Sequence, residues 1–118
     1  MDTKNLEELI EPQIEVYVAT SVCNIEMEGT VEFLCPVTEK KDRGKYRIFY
    51  KPNHDCKYLE LLSFIAWIQH LSTKILGGEN FCELLYTKIL DTISPDKLRV
   101  EVIDETTSLL TYKIIKEL

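Results

Sequence analysis

The sequence predicts an α+β protein, a four-stranded antiparallel sheet with two helices on one face, in the order ββααββ. Three observations carry this. Apolar residues recur at every second position towards both ends of the chain, they recur at every third and fourth position in the middle, and Gly77-Gly78 separates two helical stretches. A pair of strands at each end with helices between them implies antiparallel pairing.

The first strand is expected over residues 14–23, where Ile14, Val16 and Val18 alternate against Glu15 and β-branched residues are frequent. Asn24 to Thr30 reads as a connection. A second strand is expected over residues 45–51, with Tyr46, Ile48 and Tyr50 on one face and Lys45, Arg47 and Lys51 on the other, closed by a Pro52-Asn53 turn. From Glu60 the period becomes helical through Leu61, Leu62, Ile65, Ile68, Ser72, Ile75 and Leu76, with Phe64, Trp67 and Leu71 widening the apolar stripe. That helix is expected to stop at Gly77-Gly78. Asn80 with Glu83 resembles a capping box, and Phe81, Leu84, Leu85, Ile89 and Ile93 continue a second helix to Ser94-Pro95. Strands over residues 98–104 and 109–115, joined by a polar turn, complete the chain.

At 118 residues the chain is expected to form one domain, spanning residues 1–118. No run of about eighteen apolar residues suggests a membrane span, and the acidic start Met1-Asp2-Thr3-Lys4 is unlike a signal peptide, so a cytoplasmic protein is expected. Cys23, Cys35, Cys56 and Cys82 contain no CxxC pair, so no metal site is expected and the cysteines read as free thiols. The net charge is −6, but residues 39–58 carry seven basic side chains against three acids. This block, with Lys40, Lys41, Arg43 and Lys45 at its head, reads either as a footprint for a polyanion or as a solvated strand guarded by lysines.

The candidate chemistry lies in Phe33-Leu34-Cys35-Pro36-Val37-Thr38 and Asp42. Pro36 and Gly44 mark a loop entering a strand, and a loop can turn the Asp42 carboxylate back towards the Cys35 sulfur. From residue types alone the pair is a nucleophile with an acid, or a structural cysteine beside a solvated charge run. Glu79 is either a ligand carboxylate or a favourable acid at a helix N-terminus. His54 and His70 read as a turn residue and a helix residue without a site role.

Leu34-Cys35-Pro36-Val37-Thr38 with Asp42, Glu60 and Glu79 at these separations resembles the QueF family of 7-cyano-7-deazaguanine reductases, over roughly residues 14–104. The resemblance implies the tunnelling fold, whose units assemble side by side into barrels with active sites between subunits. It implies that Cys35 attacks a nitrile carbon to form a covalent thioimide, that Asp42 transfers the proton, and that Glu79, with Glu60, binds the purine-like ring. Where the reductases follow the counterpart of Glu60 with a lysine-bearing motif for the nicotinamide cofactor, this chain has Leu61-Leu62-Ser63-Phe64-Ile65, and Gly78 replaces the histidine before the ring-binding glutamate. These departures resemble the QueF-like branch, the archaeosine synthases.

The implied activity is therefore a tRNA-modifying amidinotransferase that converts 7-cyano-7-deazaguanine in archaeal tRNA to archaeosine with ammonia, without NADPH or any other cofactor. The alternatives are an NADPH-dependent nitrile reductase acting on the free base and a noncatalytic purine-binding module. The expected partners are tRNA, with Lys40, Lys41, Arg43 and Lys45 as its contact, and further copies of the chain in a pentamer or decamer. An open four-stranded sheet leaves edges that neighbours would close.

Overall fold

The computed structural model describes residues 10–74 and 77–118. Its elements run β1 (Val16–Val18), β2 (Ile25–Leu34), β3 (Lys41–Lys51), β4 (Lys57–Leu59), α1 (Leu61–Leu71), α2 (Gly77–Ile93), β5 (Lys97–Asp104) and β6 (Tyr112–Glu117). The sheet is four-stranded and antiparallel, in the order β2-β3-β5-β6. The eight elements depart from the expected ββααββ order, because β1 and β4 form a separate two-stranded ribbon.

The largest difference lies at Asn24 to Thr30, expected as a connection: from Ile25 this stretch belongs to the ten-residue strand β2, which runs on to Leu34. Its pattern is strict. Ile25, Met27, Val31 and Phe33 face the core while Glu26, Glu28, Thr30 and Glu32 face out, and the latter oppose Phe49, Arg47, Lys45 and Arg43 of β3. Four acidic or glycine positions in ten residues lower β propensity, yet cross-strand charge complementarity and one buried face compensate. The strand expected over residues 14–23 shrinks to β1 and pairs with β4 instead of with β3.

Val31, Phe33, Ile48, Tyr50, Leu98, Val100 and Val102 form the inner face of the sheet, all buried. Across them lies α2, whose Phe81, Cys82, Leu85, Ile89 and Ile93 recur at helical spacing and are also buried. Phe33 and Phe81 stack with ring centroids 6.0 Å apart, joining the two layers near the end of β2. Helix α1 buries Phe64, Trp67, Ile68 and Leu71, and Lys88 of α2 sits over the Trp67 ring. Its opposite face leaves Leu61, Leu62 and Ile65 exposed.

Both helix boundaries at the glycine turn differ from expectation. The Ser72 and Thr73 hydroxyls donate to the carbonyls of Gln69 and His70 at 2.7 Å each, taking up the acceptors a further turn would need, and α1 ends at Leu71. The expected continuation at Ile75 and Leu76 lies outside the described residues. Gly77-Gly78 is the first turn of α2 rather than the stop of α1, and Asn80 lies inside α2 instead of capping it. The last strand begins at Tyr112, so Leu109, Leu110 and Thr111 belong to the preceding loop.

Candidate active site

Strand alternation brings the candidate nucleophile and acid to one face. Phe33 pairs with Asp42 across the β2–β3 hairpin, so their side chains share the inner face, and Cys35, two residues beyond Phe33, continues it. Residues 35–40 close the hairpin. Cys35 N donates to Lys40 O at 3.0 Å, Glu39 N donates to Cys35 O at 2.8 Å, and Glu39 takes a left-handed φ of 59° to turn the chain.

This turn wraps the half-buried Cys35 sulfur in donors. The Thr38 backbone N–H, the Thr38 hydroxyl and the Val37 N–H favour the thiolate and hold the Cys35 thiol below its ordinary value, against burial and the Asp42 charge, which push upward. The contrast within the chain is Cys82, buried under the sheet with its sulfur 3.8 Å from Val100 O, whose thiol burial pushes up to about 11. The two thiols are thus shifted in opposite directions, Cys35 towards the thiolate and Cys82 away from it.

The third side of the site is the start of α2. Gly77 takes φ 70°, and a Cβ there would meet Pro36 Cδ at 3.3 Å and Glu79 Oε2 at 3.6 Å, so the Cys35 loop and the helix N-terminus are in close approach. Gly78 is filled by its neighbours, since a Cβ there would meet Ile114 Cδ1 at 2.9 Å and Phe33 Cζ at 3.6 Å. Glu79 in this first turn accepts a hydrogen bond from the Tyr112 hydroxyl at 2.6 Å. Cys35, Asp42 and Glu79 thus line one cleft of about 380 Å³, closed on its far side by Asp104, Thr107 and Tyr112. Among the described residues its lining holds three carboxylates and no lysine, arginine or histidine. Val37, 87% exposed, and Leu110, 58% exposed, form an apolar rim.

The remaining candidates lie elsewhere. Glu60 is the N-cap of α1: its Oε1 accepts from Leu62 N at 2.9 Å and its Oε2 from Ser63 N at 2.7 Å, which lowers its pKa, and it does not line the cleft. Lys41, Arg43 and Lys45 alternate with Asp42 along β3 and so occupy the outer face of the sheet. There Lys41 pairs with Glu32 at 3.7 Å and Lys45 with Glu105 at 3.6 Å, while among the described residues Lys40 and Arg43 make no ion pair. A larger groove, about 470 Å³ between Ile25 and Leu118, contains none of the candidate residues. Neither His54 nor His70 lines the cleft, and the described residues hold no cluster of three metal-ligating side chains.

Asp104 and Tyr112 enter the site unforeseen. They pair directly across β5 and β6, and Asp104 pairs with Gly44 on its other side, so one row of the sheet ends at the cleft. The available signal was their position at facing strand ends, which requires the register and hence the correct start of β6.

A crystal structure of an archaeosine synthase, QueF-Like in the apo form, shares this fold, with a TM-score of 0.71 over 80% of this chain and 91% of that chain. Identity across the match is 16%, so the likeness is one of fold, an α+β architecture consistent with the tunnelling fold. No family model matches the sequence, and no curated protein matches it. Among the described residues, no helix is long and apolar enough to cross a membrane.

Proposed function

We propose that the chain is a tRNA-modifying amidinotransferase of the archaeosine synthase type, converting the nitrile of 7-cyano-7-deazaguanine in tRNA to an amidine. The observation that carries this reading is the convergence of Cys35, Asp42 and Glu79 on one cleft, with the Cys35 sulfur wrapped in donors that favour the thiolate. The fold shared with an archaeosine synthase supports it.

The Cys35 thiolate adds to the nitrile carbon while Asp42 delivers a proton to the nitrogen, giving a thioimide. Ammonia then adds to the same carbon, its surplus proton passes to the imide nitrogen through Asp42, and the tetrahedral adduct expels the Cys35 thiolate and leaves the amidine. No electrons change hands. Glu79 takes the paired N–H donors of the guanine-like edge in a charge-assisted fork. The cleft wall, with its three carboxylates and no cation among the described residues, suits a neutral amine better than the phosphates of a dinucleotide, which favours ammonia over hydride transfer from NADPH.

The assembly we propose is a homo-oligomer with the clefts completed between subunits. The exposed apolar rim at Val37, Leu109 and Leu110 and the two open sheet edges, β2 and β6, support that arrangement. Within the basic block, the proposed tRNA contact narrows to Lys40, in the Cys35 loop, and Arg43, because Lys41 and Lys45 already face acids. In the cell such an enzyme acts in the cytoplasm.

The test is incubation with tRNA carrying 7-cyano-7-deazaguanine and ammonium, followed by nucleoside analysis. Archaeosine is expected from the wild type and none from Cys35→Ala. No product from the wild type, or full product from Cys35→Ala, defeats the proposal.

A further inference from the structure

We propose that Tyr112 is a positioning residue for the base-binding carboxylate: its hydroxyl holds Glu79 in the lining of the Cys35 cleft, ready for the N–H edge of a guanine-like base. This rests on the function proposed above and assigns a determinant of its specificity to β6.

The inner face of β6 runs alongside the first turns of α2. Tyr112 donates to Glu79 at 2.6 Å, Ile114 packs on Gly78, and Lys116 pairs with Glu83 while lying over the Tyr86 ring. Tyr112, Ile114 and Lys116 follow one another at the period of two that keeps a strand's side chains on one face. Two of these three contacts are structural. The third ends at the cleft, where Tyr112 itself forms part of the lining.

A carboxylate in the first turn of a helix is otherwise drawn back onto the unpaired N–H groups of its own helix, where it would be turned away from a ligand. The Tyr112 hydroxyl competes with that arrangement by occupying one lone pair of Oε1 from outside the helix. Counting the hydrogen bonds among the described residues, the carboxylate keeps one lone pair on Oε1 and two on Oε2, enough to accept two adjacent N–H donors. A base presenting a ring N–H beside an exocyclic amine fits this remainder, whereas one without the amine uses only half of it. The hydrogen bond also disfavours ionisation of Tyr112, since the Glu79 bond and charge both raise its pKa, so the phenol remains a donor.

The experiment compares the wild type with Tyr112→Phe, which deletes the hydroxyl and keeps the ring. Equilibrium binding of 7-cyano-7-deazaguanine, and of the same base lacking its exocyclic amine, is measured by calorimetry with and without Tyr112→Phe in a Cys35→Ala background. Thioimide formation is followed by intact mass against base concentration in proteins that keep Cys35. Tyr112→Phe is expected to weaken binding of the amine-bearing base roughly tenfold, the order for one hydrogen bond to a charged group. The amine-free base should lose less than threefold, and the saturating rate of adduct formation should change less than threefold.

Unchanged affinity, or equal weakening of both bases, would overturn the inference while wild-type adduct formation left the proposed function standing. A wild type that neither binds the free base nor forms the adduct overturns this inference, and the archaeosine assay on tRNA decides the proposed function separately.

Discussion

Replacing Gly77 by alanine tests the geometry on which the site depends. At a helix N-terminus with ordinary dihedrals, Gly→Ala stabilises a protein by about 0.4–1 kcal/mol through the entropy of the unfolded chain. Here the sign should reverse. Gly77 sits at φ 70°, where an L side chain costs about 1–2 kcal/mol. The new Cβ would also press Pro36 Cδ at 3.3 Å, a ring atom next to Cys35 that cannot swing away as a chain end would. The net expectation is destabilisation of about 1 kcal/mol, a fall in Tm of about 5 °C for a chain of this size. Urea unfolding reads the free energy, and intact mass after exposure to the nitrile base reads the site. Adduct formation should slow by more than tenfold, because moving Pro36 moves the nucleophile off line. A Gly77→Ala protein as stable as the wild type, or more so, would refute the left-handed start of α2 and the close packing of helix and loop that follows from it.

Thr38→Val removes the hydroxyl that supports the Cys35 thiolate and leaves the Thr38 and Val37 N–H groups, so the midpoint of the pH–rate profile for adduct formation should rise; an unchanged midpoint would show that the hydroxyl plays no part. Glu60→Gln should lower Tm by a few degrees at neutral pH while leaving adduct formation within about twofold, and a loss of base binding would return Glu60 to the site. Because the folded-state pKa of Glu60 is depressed, its contribution is present above the ordinary value of 4.5 and vanishes as pH falls through the lowered one, so the Tm difference between wild type and Glu60→Gln should close on acidification. Lys40→Glu should raise the KM for tRNA several-fold with thioimide formation from the free base unchanged, and the penalty should shrink as salt rises; equal effects on tRNA and free base would place Lys40 in the cleft instead.

The helices and β5 were legible because burial on one face writes itself into composition: Phe81, Leu85 and Ile89 in α2, and Leu98, Val100 and Val102 in β5, follow their periods without exception. β2 was hidden although its alternation is just as regular. Its outer face carries Glu26, Glu28 and Glu32, which alone read as a solvated acidic connection and become a strand only when β3 lies alongside, with Lys41 pairing to Glu32 and Arg47 to Glu28. The end of α1 was hidden for a different reason, since apolar Ile75 and Leu76 continue the period while two hydroxyls, at Ser72 and Thr73, terminate the hydrogen bonding.

The same register explains how much of the site could be seen in advance. Cys35 and Asp42 are joined by a short hairpin, and Glu79 stands in a helix turn next to glycine, so local sequence offered all three as candidates beside a structural reading of each, and the family resemblance singled them out. Asp104 and Tyr112 reach the cleft only because β5 and β6 stop where β2 turns, a fact of pairing that no local pattern states. Pairing also divides the charge of the chain. Alternation on β3 sends Asp42 inward to the cleft and Lys41, Arg43 and Lys45 outward to a face where Glu32 and Glu105 meet the two lysines, so a stretch that is basic by sum becomes an acidic cleft backed by a largely neutralised outer face. On the proposed function, an anionic tRNA would approach the cleft from its rim, past the Cys35 loop where Lys40 lies, rather than across the sheet, because bringing phosphates near the three carboxylates among the described lining residues is electrostatically costly while a neutral base is not.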